Sequence, residues 1–217
     1  MTANTIPKIY VLTIPESERH VDAKRQLDAM GVEYEFVYGR IWPEDEIPWE
    51  EVKGINRATL HTRYPQRCYG CREGHIRLLE KALADGCDSI LSCEDDVWFE
   101  KIDLARLAEC HARLGEMGGI INMCCPDALH LPFWGDSVLP GERGTVRTMS
   151  WRTDTCYMLD RAGMTFYLLG LKEGCHESDV AMTLHCKGCK RYIPSYVRSK
   201  SPVPLNPAFD LKSNIQL

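Results

Sequence analysis

Residues 70–97 read GCREGHIRLLEKALADGCDSILSCEDDV, and they join a helical pattern, a strand pattern and an acidic triplet in one segment. Ile76, Leu79 and Leu83 recur at three- and four-residue spacing, which predicts the buried face of a helix. The run DSILSC at residues 88–93 is short and apolar and predicts a buried strand. A helix that leads into a strand of this kind favours an α/β fold.

The segments on either side continue the alternation of strands and helices. Residues 8–14 and 32–38 predict two strands, and between them Ser17 can cap a helix that runs to Met30 and stops at Gly31. A strand, helix and strand in this order imply a parallel, right-handed crossover. The other predicted segments are an irregular stretch at 39–69, helices at 103–117, 161–169 and 177–185, strands at 120–124, 145–151, 156–159 and 192–197, and a loop at 125–144.

The length and composition predict one α/β domain over residues 1–217, with a mostly parallel central sheet flanked by helices. A hydrophobic fraction of 44% and a charged fraction of 26% are those of an ordinary globular protein. The net charge of −5 argues against a generally basic surface for nucleic acid.

The N-terminus and the cysteines indicate a cytoplasmic protein. No basic segment followed by a long apolar run opens the chain, so we expect neither a secretory signal nor integral membrane association. The eleven cysteines are an odd number, and several stand in apolar runs, which favours reduced thiols over a disulfide framework.

The acidic triplet Glu94-Asp95-Asp96 directly follows the predicted strand at 88–93. Ligands of open α/β sheets bind at the carboxyl ends of the strands. Three adjacent carboxylates repel one another, and a hard cation such as Mn²⁺ or Mg²⁺ would relieve that repulsion and could bind a diphosphate. The alternative is a solvated acidic turn or the first turn of the next helix, where acidic residues are favoured in any case.

This segment resembles the family-25 glycosyltransferases, which include bacterial lipooligosaccharide galactosyltransferases and collagen galactosyltransferases. Gly74 stands where the family usually has serine. The positions that match the family pattern are Gly70, Cys71, His75, Gly86, Glu94, Asp95, Asp96 and Val97. Further segments similar to the family are the first strand with residues 18–19, residues 154–159 with Gly163, and residues 176–179.

The resemblance covers most of residues 7–200 and implies a GT-A-like, Rossmann-like fold, a UDP-sugar donor (often UDP-galactose), Mn²⁺ and inversion at the anomeric carbon. It implies a nucleotide-sugar-binding half at 7–100, an acceptor-binding half at 101–200 and an extended tail at 201–217. The acceptor stays open among a glycan, a protein, a small molecule and a modified nucleic acid.

The resemblance also suggests roles for individual residues. Asp179 is the first choice for the base that takes the acceptor proton and Glu177 the second, although Asp179 could instead cap a helix. The expected metal ligands are Asp96, Glu94 and His176. The expected donor-binding residues are Thr13, Ile14, Arg19, Tyr38, Gly39, His75, Glu94 and Asp95, and Asp154 and Trp134 are expected to face the acceptor. Arg19 could instead lie on a solvated helix face, and His75 could be a buried, hydrogen-bonded histidine.

Two cysteine pairs with CxxC spacing offer a different metal site. Cys68, Cys71, Cys186 and Cys189 could hold structural Zn²⁺, but the gap between the pairs is far longer than in a zinc ribbon, so coincidence is the stronger reading. Two other functions remain open: a catalytically inert or zinc-stabilised binding protein, and another nucleotide-dependent transferase. The second lacks support, because the loop at 13–19 (TIPESER) has no glycine to hold a triphosphate.

Overall fold

The computed structural model describes residues 6–48, 65–123 and 156–173. The strands in this part of the chain are β1 (Lys8–Thr13), β2 (Tyr34–Tyr38), β3 (Ser89–Glu94), β4 (Ile120–Asn122) and β5 (Cys156–Asp160). The helices are α1 (Glu18–Met30), α2 (Pro65–Ala84), α3 (Leu104–Met117) and α4 (Arg161–Glu173), with short 3-10 turns at Glu44–Glu46 and Phe99–Lys101.

The five strands form one open sheet in the order β2-β1-β3-β5-β4. β1 pairs in parallel with both β2 and β3, which confirms the predicted parallel β1-α1-β2 unit. β5 lies between β3 and β4 and is antiparallel to both, so the sheet is mixed, although four of its five strands run in one direction. The sequence CYMLD of β5 is apolar almost throughout, and nothing in it indicates the strand's direction.

Helices cover both faces of the sheet. Because successive residues of a strand point to opposite sides, each strand contributes side chains to both cores. Ile9 and Val11 of β1 pack in a core with residues of α1 and α3. Tyr10 and Leu12 face the other core, which contains residues of α2 and α4. The near-continuous apolar runs of β1 and β3 reflect this burial on both faces.

The helix ends are set largely by local signals. The Ser17 side chain accepts a hydrogen bond from the His20 backbone N–H (3.1 Å), and Gly31 ends α1 in the left-handed conformation with φ 66°. Helix α2 instead begins at Pro65, so the irregular segment predicted for 39–69 is wrong at its end. Proline is favoured at a first helical position, but the apolar spacing begins only later in α2.

Part of the sequence prediction lies outside the described residues. This applies to the loop at 125–144, the strands at 145–151 and 192–197, the helix at 177–185 and the tail at 201–217. Within the described ranges, no helix is long and apolar enough to cross a membrane.

Candidate functional site

The carboxyl ends of β1 and β3 form the natural crevice of this sheet. The chain passes from β1 to β2 on one side and places β3 on the other, so the strand order reverses between β1 and β3. Open α/β sheets bind ligands at such a switch point. Thr13 ends β1 and Glu94 ends β3, and the Asp95 backbone N–H donates to the Leu12 carbonyl oxygen (3.1 Å). The acidic triplet therefore lies where sequence reasoning put it.

Asp95 is buried, with 8% of its surface exposed, and is held from two sides. The Thr13 hydroxyl donates to Asp95 Oδ2 at 2.6 Å, and Arg19 Nη1 lies 3.6 Å from Asp95 Oδ1. A buried carboxylate requires such partners, because burial without them costs several kcal/mol. The structure thus brings together three residues predicted to bind the donor, and it places Arg19 toward the site rather than on a solvated helix face.

Glu94 faces the opposite side of the sheet, toward α2. The Cys71 sulfur and His75 Nε2 each lie 3.6 Å from Glu94 Oε1. Cys71 and His75 are four residues apart and share one face of α2. Potential ligand atoms of these three residues all lie within 4.8 Å of one another.

Tyr157 of β5 positions the His75 ring. Its hydroxyl lies 2.8 Å from His75 Nδ1, and the imidazole is fully buried. With Nδ1 facing the phenol, Nε2 is directed at Glu94. Sequence reasoning offered a buried, hydrogen-bonded His75 as the alternative role, and the structure shows both burial and this contact.

Asp96 is also buried, with 4% of its surface exposed. Burial raises the pKa of the Cys156 thiol well above its ordinary value, and the Cys93 contact and the negative charge of Asp96 act in the same direction. The triplet is therefore divided: Glu94 belongs with α2, whereas Asp95 belongs with Thr13 and Arg19. Among the described residues, Asp96 does not join the cluster of ligand atoms around Glu94, and its role as a metal ligand stays a prediction.

The edge of the crevice is formed by the residues after β1 and β2. The Gly39 backbone N–H donates to the Thr13 carbonyl oxygen at 2.8 Å, which fixes the end of β2 against β1. The Tyr38 ring is 45% exposed and lies edge-on to His20, with ring centroids 5.6 Å apart. Ile14 is half-buried beside Gly39, where an added Cβ would lie 3.3 Å from its Cδ1. An exposed aromatic ring at this edge is available for stacking.

Gly74 has a packing role at the position where the family usually has serine. A Cβ at residue 74 would lie 2.7 Å from Leu12 Cδ1, so any side chain there would require Leu12 to move. The glycine therefore lets α2 approach β1 closely and brings His75 to the end of the sheet.

Several predicted site residues lie outside the described residues, and their roles stay predictions. Cys68 lies in α2, but its side chain is not among those described. The others are Trp134, Asp154, His176, Glu177, Asp179, Cys186 and Cys189. Two contacts of the described site were not predicted from the sequence. The first is that of Cys71 and His75 with Glu94, which the i, i+4 spacing of Cys71 and His75 could have indicated. The second is that of Tyr157 with His75, to which no local signal points.

Comparison with known proteins does not place the chain in a family. No protein-family model matches it, and no curated protein matches it significantly. Among solved structures, it is similar to one titled "Crystal Structure of A197 from STIV", at 13% identity and a TM-score of 0.46, over 88% of this chain and 83% of that chain. A similarity at this level assigns no function.

Proposed function

We propose that this protein is a metal-dependent glycosyltransferase of the GT-A type that moves a hexose from a UDP-sugar to an acceptor hydroxyl with inversion. The observation that carries the proposal is the group at the switch point of the sheet. Two buried carboxylates, Asp95 and Asp96, follow β3, and Arg19 faces the first of them at 3.6 Å. Charged groups are expensive to bury, so their concentration at a ligand-binding edge indicates a functional site.

The donor diphosphate would lie across the ends of β1 and β3. Asp96, with a carboxylate of the kind that Mn²⁺ and Mg²⁺ prefer, would hold the cation, and His176 is a further ligand candidate. The bound cation would neutralise the charge that develops on the leaving UDP. Asp95 lies beside Arg19, and Thr13 donates to Asp95, so the positive guanidinium is held at the edge that the phosphates would approach.

The nucleoside would extend toward β2. The exposed Tyr38 ring offers a face for the uracil, and the Gly39 and Ile14 segments form the edge beside it. This arrangement agrees with the resemblance, which puts the nucleotide-sugar in the half of the chain at 7–100.

The acceptor would be activated from the other half of the chain. In an inverting transfer, Asp179 or Glu177 takes the proton of the acceptor hydroxyl, and the acceptor oxygen attacks the anomeric carbon. The bond from that carbon to the diphosphate oxygen breaks, and UDP leaves with the electron pair. Donor binding and acceptor activation therefore depend on different residues.

One observation favours a second candidate, a catalytically inert binding protein stabilised by zinc. The Cys71, His75 and Glu94 side chains form a cluster that needs no sugar nucleotide to account for it. The two candidates differ in turnover, since an inert protein would bind metal without hydrolysing or transferring a sugar.

The test is a panel of UDP-sugars assayed for binding and slow hydrolysis with Mn²⁺ or EDTA. Asp96→Asn should abolish metal-dependent hydrolysis, whereas Asp179→Asn should keep donor binding and lose transfer. Asp103→Asn is a matched control, because Asp103 caps α3 away from the site and asparagine caps equally well. Failure of every UDP-sugar to bind, with or without metal, would refute the proposal.

A further inference from the structure

We infer that Cys71, His75 and Glu94 form a zinc site of their own, distinct from the Asp96 cation site of the proposed function. The ligand set would be one thiolate, one imidazole and one carboxylate oxygen, with water at the fourth position. It does not use Cys186, Cys189 or Asp96, and it assigns to a separate ion two residues, Glu94 and His75, that the resemblance gave to donor binding.

Two of the three separations between the ligand atoms are close to those of a tetrahedral zinc site, and the third is within 4.8 Å. Zinc binds sulfur at about 2.3 Å and oxygen or nitrogen at about 2.0 Å, so tetrahedral angles put the ligand atoms about 3.3–3.6 Å apart. The Cys71 sulfur and His75 Nε2 are both 3.6 Å from Glu94 Oε1. An ion could therefore enter with little movement of the backbone.

A weak hydrogen bond from the Cys71 thiol, with the sulfur 3.6 Å from Glu94 Oε1, accounts for one of these two contacts. An N–H···O bond spans about 2.7–3.2 Å, whereas the separation from His75 Nε2 to Glu94 Oε1 is 3.6 Å. Both the nitrogen and the sulfur also approach the same oxygen atom. Convergence of a thiol, an imidazole and a carboxylate within 4.8 Å of one another suits an ion between them.

The surroundings of His75 resemble the outer shell of a metal site. A ligating histidine usually places its other ring nitrogen against a fixed partner, which sets the tautomer and the ring orientation. Tyr157 provides that partner, with its hydroxyl 2.8 Å from Nδ1, and the whole imidazole is buried. Cys71 and Glu94 are only partly buried, so an ion has access from solvent.

The chemistry of the set selects zinc over manganese or magnesium. A thiolate and an imidazole suit borderline cations such as Zn²⁺, whereas Mn²⁺ and Mg²⁺ prefer oxygen ligands. On binding, the Cys71 thiol loses its proton to solvent, and the sulfur donates an electron pair to the ion. The zinc would tie the middle of α2 to the carboxyl end of β3, at one wall of the crevice.

Cobalt(II) is the probe for this site, because a bound thiolate gives it a near-ultraviolet charge-transfer band. Chelator-treated full-length protein should bind one equivalent at the site, and Zn²⁺ should displace it. Cys71→Ser should remove the band, and His75→Gln and Glu94→Gln should prevent stoichiometric binding there. Cys87→Ser is the matched control, because the partly buried Cys87 lies at the other end of β3 beside Tyr10.

A second measurement tests whether the Tyr157 hydroxyl positions the His75 ring for metal binding. Tyr157→Phe keeps all three ligands but removes the hydroxyl at Nδ1, and it should weaken cobalt binding by about 10–100-fold. Tyr34→Phe is its control, since the Tyr34 hydroxyl contacts Asp28 on the exposed side of α1.

The inference is overturned if the band persists in Cys71→Ser. It is also overturned if Cys186→Ser removes the band while His75→Gln and Glu94→Gln keep it, since the cysteine pairs would then hold the ion. Glu94→Gln preserves the side-chain shape and tests the site even where Cys71→Ser is unstable. No sugar nucleotide is present in these titrations, so their failure is separable from failure of the proposed glycosyl transfer.

Discussion

The hydrogen bond between Thr13 and Asp95 should be one of the strongest side-chain contributions to stability at the crevice. Thr13→Val replaces the hydroxyl by a methyl group of similar size. It leaves Asp95 Oδ2 without a donor that stands 2.6 Å away in the native protein. Thr13 and Asp95 are 3% and 8% exposed, so water can replace that donor only poorly.

The expected cost follows from the type of bond. A hydrogen bond to a charged group contributes about 1.5–3 kcal/mol. For a chain of this size, 1 kcal/mol corresponds to a change in Tm of about 2–4 °C, so Thr13→Val should lower Tm by roughly 3–12 °C. Arg19 still faces the other carboxylate oxygen at 3.6 Å, which keeps the loss within this range.

The assay is urea unfolding of Thr13→Val, Asp95→Ala and the double variant, which together give a coupling energy. Direct contact predicts a coupling of about 1.5 kcal/mol or more. Thr165→Val is the control, because Thr165 is exposed on α4 and its hydroxyl donates to the Arg161 carbonyl oxygen of the same helix, so its change should stay within about 0.5 kcal/mol. A coupling below roughly 0.5 kcal/mol would refute the placement of Asp95.

Two further predictions concern packing and charge. Gly163→Ala should destabilise the fold by about 1–3 kcal/mol, because a Cβ there would lie 2.3 Å from the Gly119 carbonyl oxygen. Gly115→Ala, where an added Cβ would meet no other described residue within 4 Å, should instead stabilise α3 by up to about 1 kcal/mol, and urea unfolding of both variants measures the contrast. Hydrogen bonds from Lys8 and a second lysine lower the pKa of Glu35 below its ordinary 4.5. The contribution of Glu35 to stability is therefore present above that pH and is lost as pH falls through the lowered pKa, so unfolding curves of wild type and Glu35→Gln should converge in acid.

The sequence was sufficient to predict the elements whose signals are local. Residues 8–38 carry apolar strands, a serine cap and a terminal glycine, and the structure has β1, α1 and β2 in those places. The end of β3 also follows from its short apolar run. The position of the acidic triplet at the edge of the sheet was therefore predictable without knowledge of any long-range contact.

The parts that sequence reasoning missed depend on contacts between distant segments. Helix α2 starts earlier than predicted, and in this first part of the helix Tyr69 packs against Trp42, with ring centroids 4.8 Å apart. No local sequence pattern indicates that contact. The pairing of Tyr157 with His75 requires β5 to run antiparallel beside β3. The alternation of side chains at the strand end, which directs Glu94 and Asp95 to opposite faces, was likewise not used in assigning the triplet, and the roles of Asp96 and Glu94 as ligands of one cation stay predictions.

The most direct test of the proposed donor site is calorimetric binding of UDP in Mn²⁺ and in EDTA. The account predicts binding in Mn²⁺ that weakens at least ~10-fold in EDTA and in Asp96→Asn, a loss of about 1.4 kcal/mol, with Asp103→Asn behaving as wild type. Equal UDP affinity in Mn²⁺ and EDTA, or no UDP binding under either condition, would contradict it.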